Sequence, residues 1–88
     1  MIKPGQKIQI ARILMGISQQ ELAKKLGVRP ATISVWENNR RAPQRRLWLL
    51  FETLCDLEGI SFTASGMPIA RPENSQFAII TNAESENG

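Results

Sequence analysis

The side chains of this chain best equipped for chemistry are its arginines, and their spacing suits binding rather than catalysis. Arg29 stands directly before Pro30, Arg40 and Arg41 follow a pair of asparagines, and Arg45 and Arg46 come shortly after Pro43. A guanidinium keeps its charge at any physiological pH and presents a rigid fork of donors, so it grips phosphates or the O6/N7 edge of guanine and moves no protons. Catalytic chemistries lack their parts. With no histidine and one cysteine, Cys55, the sequence offers neither a zinc set nor a Cys-His pair, and it has no glycine-rich phosphate loop. No enzymatic activity, metal or cofactor is expected.

The net charge of +3 conceals an asymmetry: residues 1–46 hold ten Lys or Arg against two Glu, whereas residues 47–88 hold one Arg against six acidic residues. Such an imbalance points the first half at a polyanion, the plain alternative being a solvated basic surface. Arg29 sharpens the choice. The residue before a proline at the first helical position is best a Ser, Thr, Asp or Asn, whose short oxygen accepts from the free N–H groups. An arginine there gives up about 0.5 to 2 kcal/mol of capping and opposes the helix dipole. A base edge or phosphate would account for that departure, a good bidentate base contact being worth about 1 to 3 kcal/mol.

The elements that must position these arginines are short helices. At 88 residues the chain can bury one modest core. A first helix is predicted from about Pro4 to Met15, with Ile8, Ala11, Arg12 and Met15 inward and Gly16 ending it. Ser18 and Glu21 form a capping box for a second helix from about Gln19 to Leu26, closed by Gly27. The third runs from Pro30 to Glu37 and is stopped by Asn38 and Asn39. Pro43 is expected to open a fourth, with Leu47, Leu50, Phe51 and Leu54 as its apolar stripe and its end near Leu57. Beyond Gly59 the period changes: Ile60 and Phe62 mark a short strand, "PIAR" at 68–71 a second and "QFAII" at 76–80 a third. The polar end, residues 81–88, is expected to be disordered. No apolar run approaches the roughly 20 residues of a membrane helix, no secretory h-region opens the chain, and a lone cysteine suits a reducing cytoplasm.

Two short helices joined by a glycine turn within a basic segment make a helix-turn-helix, whose second helix enters the DNA major groove. From about Gly5 to Leu57 the chain resembles the Xre/Cro family of phage and bacterial repressors. The resemblance is carried by Arg12, "SQQELAKKLGV" at 18–28, "TIS" at 32–34, "WEN" at 36–38 and Pro43. It implies a mainly α fold, a lambda-repressor-like bundle of four to five helices with a short C-terminal β segment, binding double-stranded DNA. By position it places Arg29, Ala31, Thr32, Ser34 and Val35 against base edges. It sets Gln19 to contact a phosphate while bracing the recognition helix, and it puts Arg40, Arg41, Arg45 and Arg46 along the phosphate backbone. Arg12 and Glu37 match the family's inward pair, a structural element. Pro30 departs from the pattern, because many relatives carry a polar base reader there; Ala31, Thr32 and Val35 favour thymine methyls and DNA shape instead.

Residues 1–58 are therefore read as the DNA-binding domain, 59–80 as a β-rich dimerisation segment and 81–88 as the tail. One helix-turn-helix buries too little DNA for specificity, so a homodimer on a near-palindromic operator is expected, joined through Ile60, Phe62, Met67 and Ile69. Trp48 is either a rim core residue or an interface aromatic. Two roles compete: a repressor, and a protein resembling the Hip-type antitoxins, which would also bind a toxin. A relic helix-turn-helix serving protein contacts alone would leave the basic face idle.

Overall fold

The computed structural model describes residues 2–72. Its first helix, α1 (Pro4–Met15), starts where Pro4 needs no N–H partner, and the Lys3 N–H donates to Gln6 Oε1 at 2.9 Å. Gly16 ends it in the left-handed region at φ 72°, a conformation a Cβ would oppose. The second helix, α2 (Gln19–Leu26), has the expected reciprocal cap: Ser18 Oγ accepts from the Glu21 N–H at 3.0 Å, and Glu21 Oε1 accepts from the Ser18 N–H at 3.1 Å. Gly27 then turns the chain, and the Val28 N–H donates to the Ala23 carbonyl at 2.9 Å, so the next helix leaves at a fixed angle. That helix, α3 (Pro30–Glu37), is followed by α4 (Arg45–Leu57) and by two strands, β1 (Ile60–Phe62) and β2 (Pro68–Ala70). The strands pair antiparallel with Ile60 opposite Ala70, Ser61 opposite Ile69 and Phe62 opposite Pro68. The fold is thus mainly helical with four helices and a short β-hairpin among the described residues. No helix in that range is long and apolar enough to cross a membrane.

One core serves helices and hairpin alike, built from Ile8 and Ala11 of α1, Leu22, Ala23 and Leu26 of α2, Ile33 and Trp36 of α3, Phe51 and Cys55 of α4, and Ile60 of β1. Gly5 brings α1 onto the end of α3: its N–H donates to Asn39 Oδ1 at 3.0 Å, and a Cβ there would overlap the Trp36 carbonyl oxygen. Asn39 itself sits at φ 59°, a left-handed conformation that asparagine tolerates.

Several sequence expectations need correction. Helix α4 starts at Arg45 and not at Pro43, because Gln44 is still extended at ψ 156° and the helical ladder opens with the Trp48 N–H on the Gln44 carbonyl. Its inward line is Leu47, Phe51 and Cys55, successive positions four apart, so Leu50, about 100° away around the helix, is 44% exposed. Ile60 is only 3% exposed and the half-buried Phe62 packs against the core, so the hairpin is part of the monomer's own interior. Met67 and Ile69 remain exposed. The third strand expected at 76–80 and the tail at 81–88 lie outside the described residues.

Candidate nucleic-acid interface

Helix α3 divides cleanly. Ile33, Trp36 and Glu37 are buried, while Arg29, Pro30 and Ala31 are exposed and Thr32, Ser34 and Val35 are half-buried. Arg29 is the N-cap residue, its backbone extended at ψ 149°, and its side chain makes no capping bond. The unusual cap read from the sequence is therefore present as such: Arg29 is exposed and its side chain does not cap the helix.

The exposed face of α3 does not stand alone. Ala31, Thr32 and Val35 line one side of an open groove of ≈ 710 Å³, which Arg29, Trp36, Arg41, Ala42, Gln44 and Leu47 complete from the start of α3, the following loop and the first turn of α4. Arg29 and Arg41 are its charged lining residues, and Ala31, Val35, Trp36, Ala42 and Leu47 its apolar ones. Ser34, expected among the base readers, is outside this groove; its hydroxyl lies 3.4 Å from Asn38 Nδ2, which also donates to the Ser34 carbonyl at 2.8 Å. Arg40, Arg45 and Arg46 are exposed beside it, and neither ion pair found among the described residues uses any of these arginines. Helix α4 carries no side-chain cap and no acidic residue in its first turn, so the arginines there meet no local counter-charge.

What holds α3 in place is polar and buried. Glu37, its side chain 3% exposed, accepts from Arg12 Nε at 2.7 Å, from Arg12 Nη2 at 3.2 Å and from Gln19 Nε2 at 3.0 Å. Arg12 Nη1 also donates to the Ile17 carbonyl at 3.0 Å. The pairing of Arg12 with Glu37 and the bracing role of Gln19 are thus both present, and the network ties α1, α2 and α3 into one rigid unit. Asn39 supports the same arrangement from the other end through Gly5. The sequence reading treated Asn39 only as a helix stop, although asparagine's tolerance of a left-handed backbone was the signal for its second task. Ala42 and Gln44 were missed as groove residues for want of a local signal.

Cys55 takes no part in this surface. Burial, reinforced by the nearby Glu52 charge, pushes its thiol up to about 12, so it remains a protonated core group.

Helices α2 and α3, joined by the Gly27 turn and braced against α1, have the layout of a helix-turn-helix. A helix-turn-helix family model matches residues 8–57, more than half of the chain. The protein belongs to the Xre/Cro-type helix-turn-helix family, a family of DNA-binding regulators and not of catalysts. No curated protein and no solved structure matches the chain.

Proposed function

We propose that the protein is a homodimeric repressor that lays α3 in the major groove of a near-palindromic operator. The observation that carries this reading is the groove beside α3, which Ala31, Thr32 and Val35 line together with Arg29 and Arg41. The apolar wall suits thymine C5-methyl groups, and Arg29 at the head of the helix suits a guanine edge or its adjoining phosphate. Ser34 serves the edge of the surface, its hydroxyl already near Asn38. Arg40, Arg41, Arg45 and Arg46 track the phosphate backbone, and Gln19 joins them with the second hydrogen of the amide that holds Glu37. Two such units must be held about one helical turn of DNA apart, roughly 34 Å, to read both half-sites.

Neutralising Arg40, Arg41, Arg45 and Arg46 one at a time tests the backbone assignment. Each substitution weakens specific and random DNA alike and lowers the slope of log K against log salt by about 0.9 for each phosphate no longer neutralised. Unchanged slopes in all four variants remove these arginines from the interface. A second reading, an antitoxin that represses its own operon and restrains a toxin, is favoured by the hairpin that follows α4 directly. Co-expression with the product of the adjacent gene tests it, relief of that product's toxicity being the expected result.

A further inference from the structure

We infer that the cleft between the hairpin turn, α1 and α4 is a binding site for a small aromatic zwitterion, an aromatic α-amino acid being the class that fits. It shares no residue with the groove beside α3 and does not rest on the DNA reading above.

The cleft has a volume of ≈ 270 Å³, room for one metabolite-sized molecule. One wall is the half-buried Trp48, whose ring is backed by the buried Phe51 with the two centroids 5.5 Å apart, and the half-buried Phe62 of β1 adds a second ring. Lys7 of α1 is held in place. Its ammonium lies 5.9 Å from the centroid of the Trp48 ring, and its stem lies so close to Gly66 that a Cβ there would overlap Lys7 Cε. Gly66, at φ 91°, therefore serves both the turn and the lysine. The turn is fixed by its own side chains, for Thr63 Oγ1 accepts from the Met67 N–H at 3.0 Å and lies 3.0 Å from Ser65 Oγ.

The charges choose the occupant. Glu52 stands one turn after Trp48 on the same face of α4 and is exposed at the same cleft. Neither ion pair among the described residues uses Lys7 or Glu52, so the cleft presents a cation and an anion that do not pair with each other. A molecule that brings a carboxylate to Lys7 and an ammonium to Glu52 pairs both at once, and a ring on it gains the aromatic wall. An α-amino acid with an aromatic side chain carries all three groups. A metal ion would meet the Lys7 charge and a polyphosphate the Glu52 charge, each repelled, while an uncharged ligand would cover both without pairing either. The cleft is open to solvent on one side, so a ligand of about 12 non-hydrogen atoms is held with a dissociation constant on the order of 1 mM.

Titration of the full chain with phenylalanine, followed by tryptophan emission excited where phenylalanine does not absorb, tests this directly. Trp36 is buried in the core, so the half-buried Trp48 reports. A saturable change with a midpoint on the order of 1 mM is expected, and glycine, which has no ring, does not compete. Phenylacetate lacks the ammonium and phenethylamine the carboxylate, and each binds about fivefold more weakly than phenylalanine. Lys7→Gln weakens phenylalanine and phenylacetate but not phenethylamine, whereas Glu52→Gln weakens phenylalanine and phenethylamine but not phenylacetate. Both variants are expected to melt with the parent, and if one melts lower the ligand series on the parent decides alone. Emission that changes without saturating up to about 20 mM, glycine competing as well as phenylalanine, both analogues binding as tightly as phenylalanine, or folded Lys7→Gln and Glu52→Gln variants that bind every ligand like the parent would each overturn the assignment.

Discussion

Removing Arg12 should cost this small protein a large part of its stability, and more than removing Glu37. In Arg12→Leu the Glu37 carboxylate, its side chain 3% exposed, keeps only the Gln19 amide of its three hydrogen bonds. In Glu37→Leu the stranded guanidinium is 16% exposed, still donates to the Ile17 carbonyl and can lean towards water. Breaking a buried pair from one side costs about 3 to 5 kcal/mol, so Arg12→Leu belongs at the upper end of that range and Glu37→Leu at the lower. A chain of 88 residues has about 4 to 13 kcal/mol to lose in all. At about 4 to 8 °C per kcal/mol, either change lowers the melting temperature by at least 12 °C or so. The double variant Arg12→Leu, Glu37→Leu leaves neither charge behind, and its loss should fall short of the sum by about 2 kcal/mol or more. Urea unfolding followed by circular dichroism on the four proteins of the cycle provides the numbers. Single losses below about 1 kcal/mol that simply add would show two independent surface charges and refute the reasoning.

Three further predictions follow from the same structure. Arg29→Ser should raise the melting temperature by supplying the missing cap, about 1 kcal/mol, while losing about 1 to 3 kcal/mol of operator binding; a variant that melts no higher and binds as well defeats the exchange of cap for reader. A chain ending at Glu58 discards Ile60, the buried Pro68 and the ion pair of Arg71 with Asp56. The buried isoleucine alone is worth about 2 to 5 kcal/mol, so that shortened chain should melt far below the parent, and an equal melting temperature would show the hairpin to be dispensable. Cys55, held up to about 12 against the usual 9.0, stays protonated in the fold after the unfolded thiol has ionised; stability should therefore decline as pH rises from 9 towards 12, and the slope should flatten in Cys55→Ala. Identical pH profiles of the parent and Cys55→Ala would remove the thiol from that decline.

The sequence by itself determined the local grammar of this protein. Pro4 and Pro30 at helix starts, the reciprocal Ser18 and Glu21 cap, and the left-handed glycines Gly16 and Gly27 act through neighbours within four residues, and their effects are therefore written where they occur. Arg29 as an uncapped head of the recognition helix was legible for the same reason. The partnership of Arg12 with Glu37 spans 25 residues and was readable only through the family resemblance, since no spacing rule connects them. Tertiary structure alone decided which apolar residues face inward at the C-terminal side. Helix α4 carries leucines at 47, 49, 50, 54 and 57, around much of its circumference, so periodicity admits more than one inward stripe. Its rotation is set by the fit of Phe51 and Cys55 against the other helices and by Ile60 arriving from β1. That fit turned Leu50 out and drew Ile60 in. The groove that Arg29 and Arg41 help line was likewise invisible beforehand, because its lining residues come from α3, the following loop and the first turn of α4 and meet only in the fold.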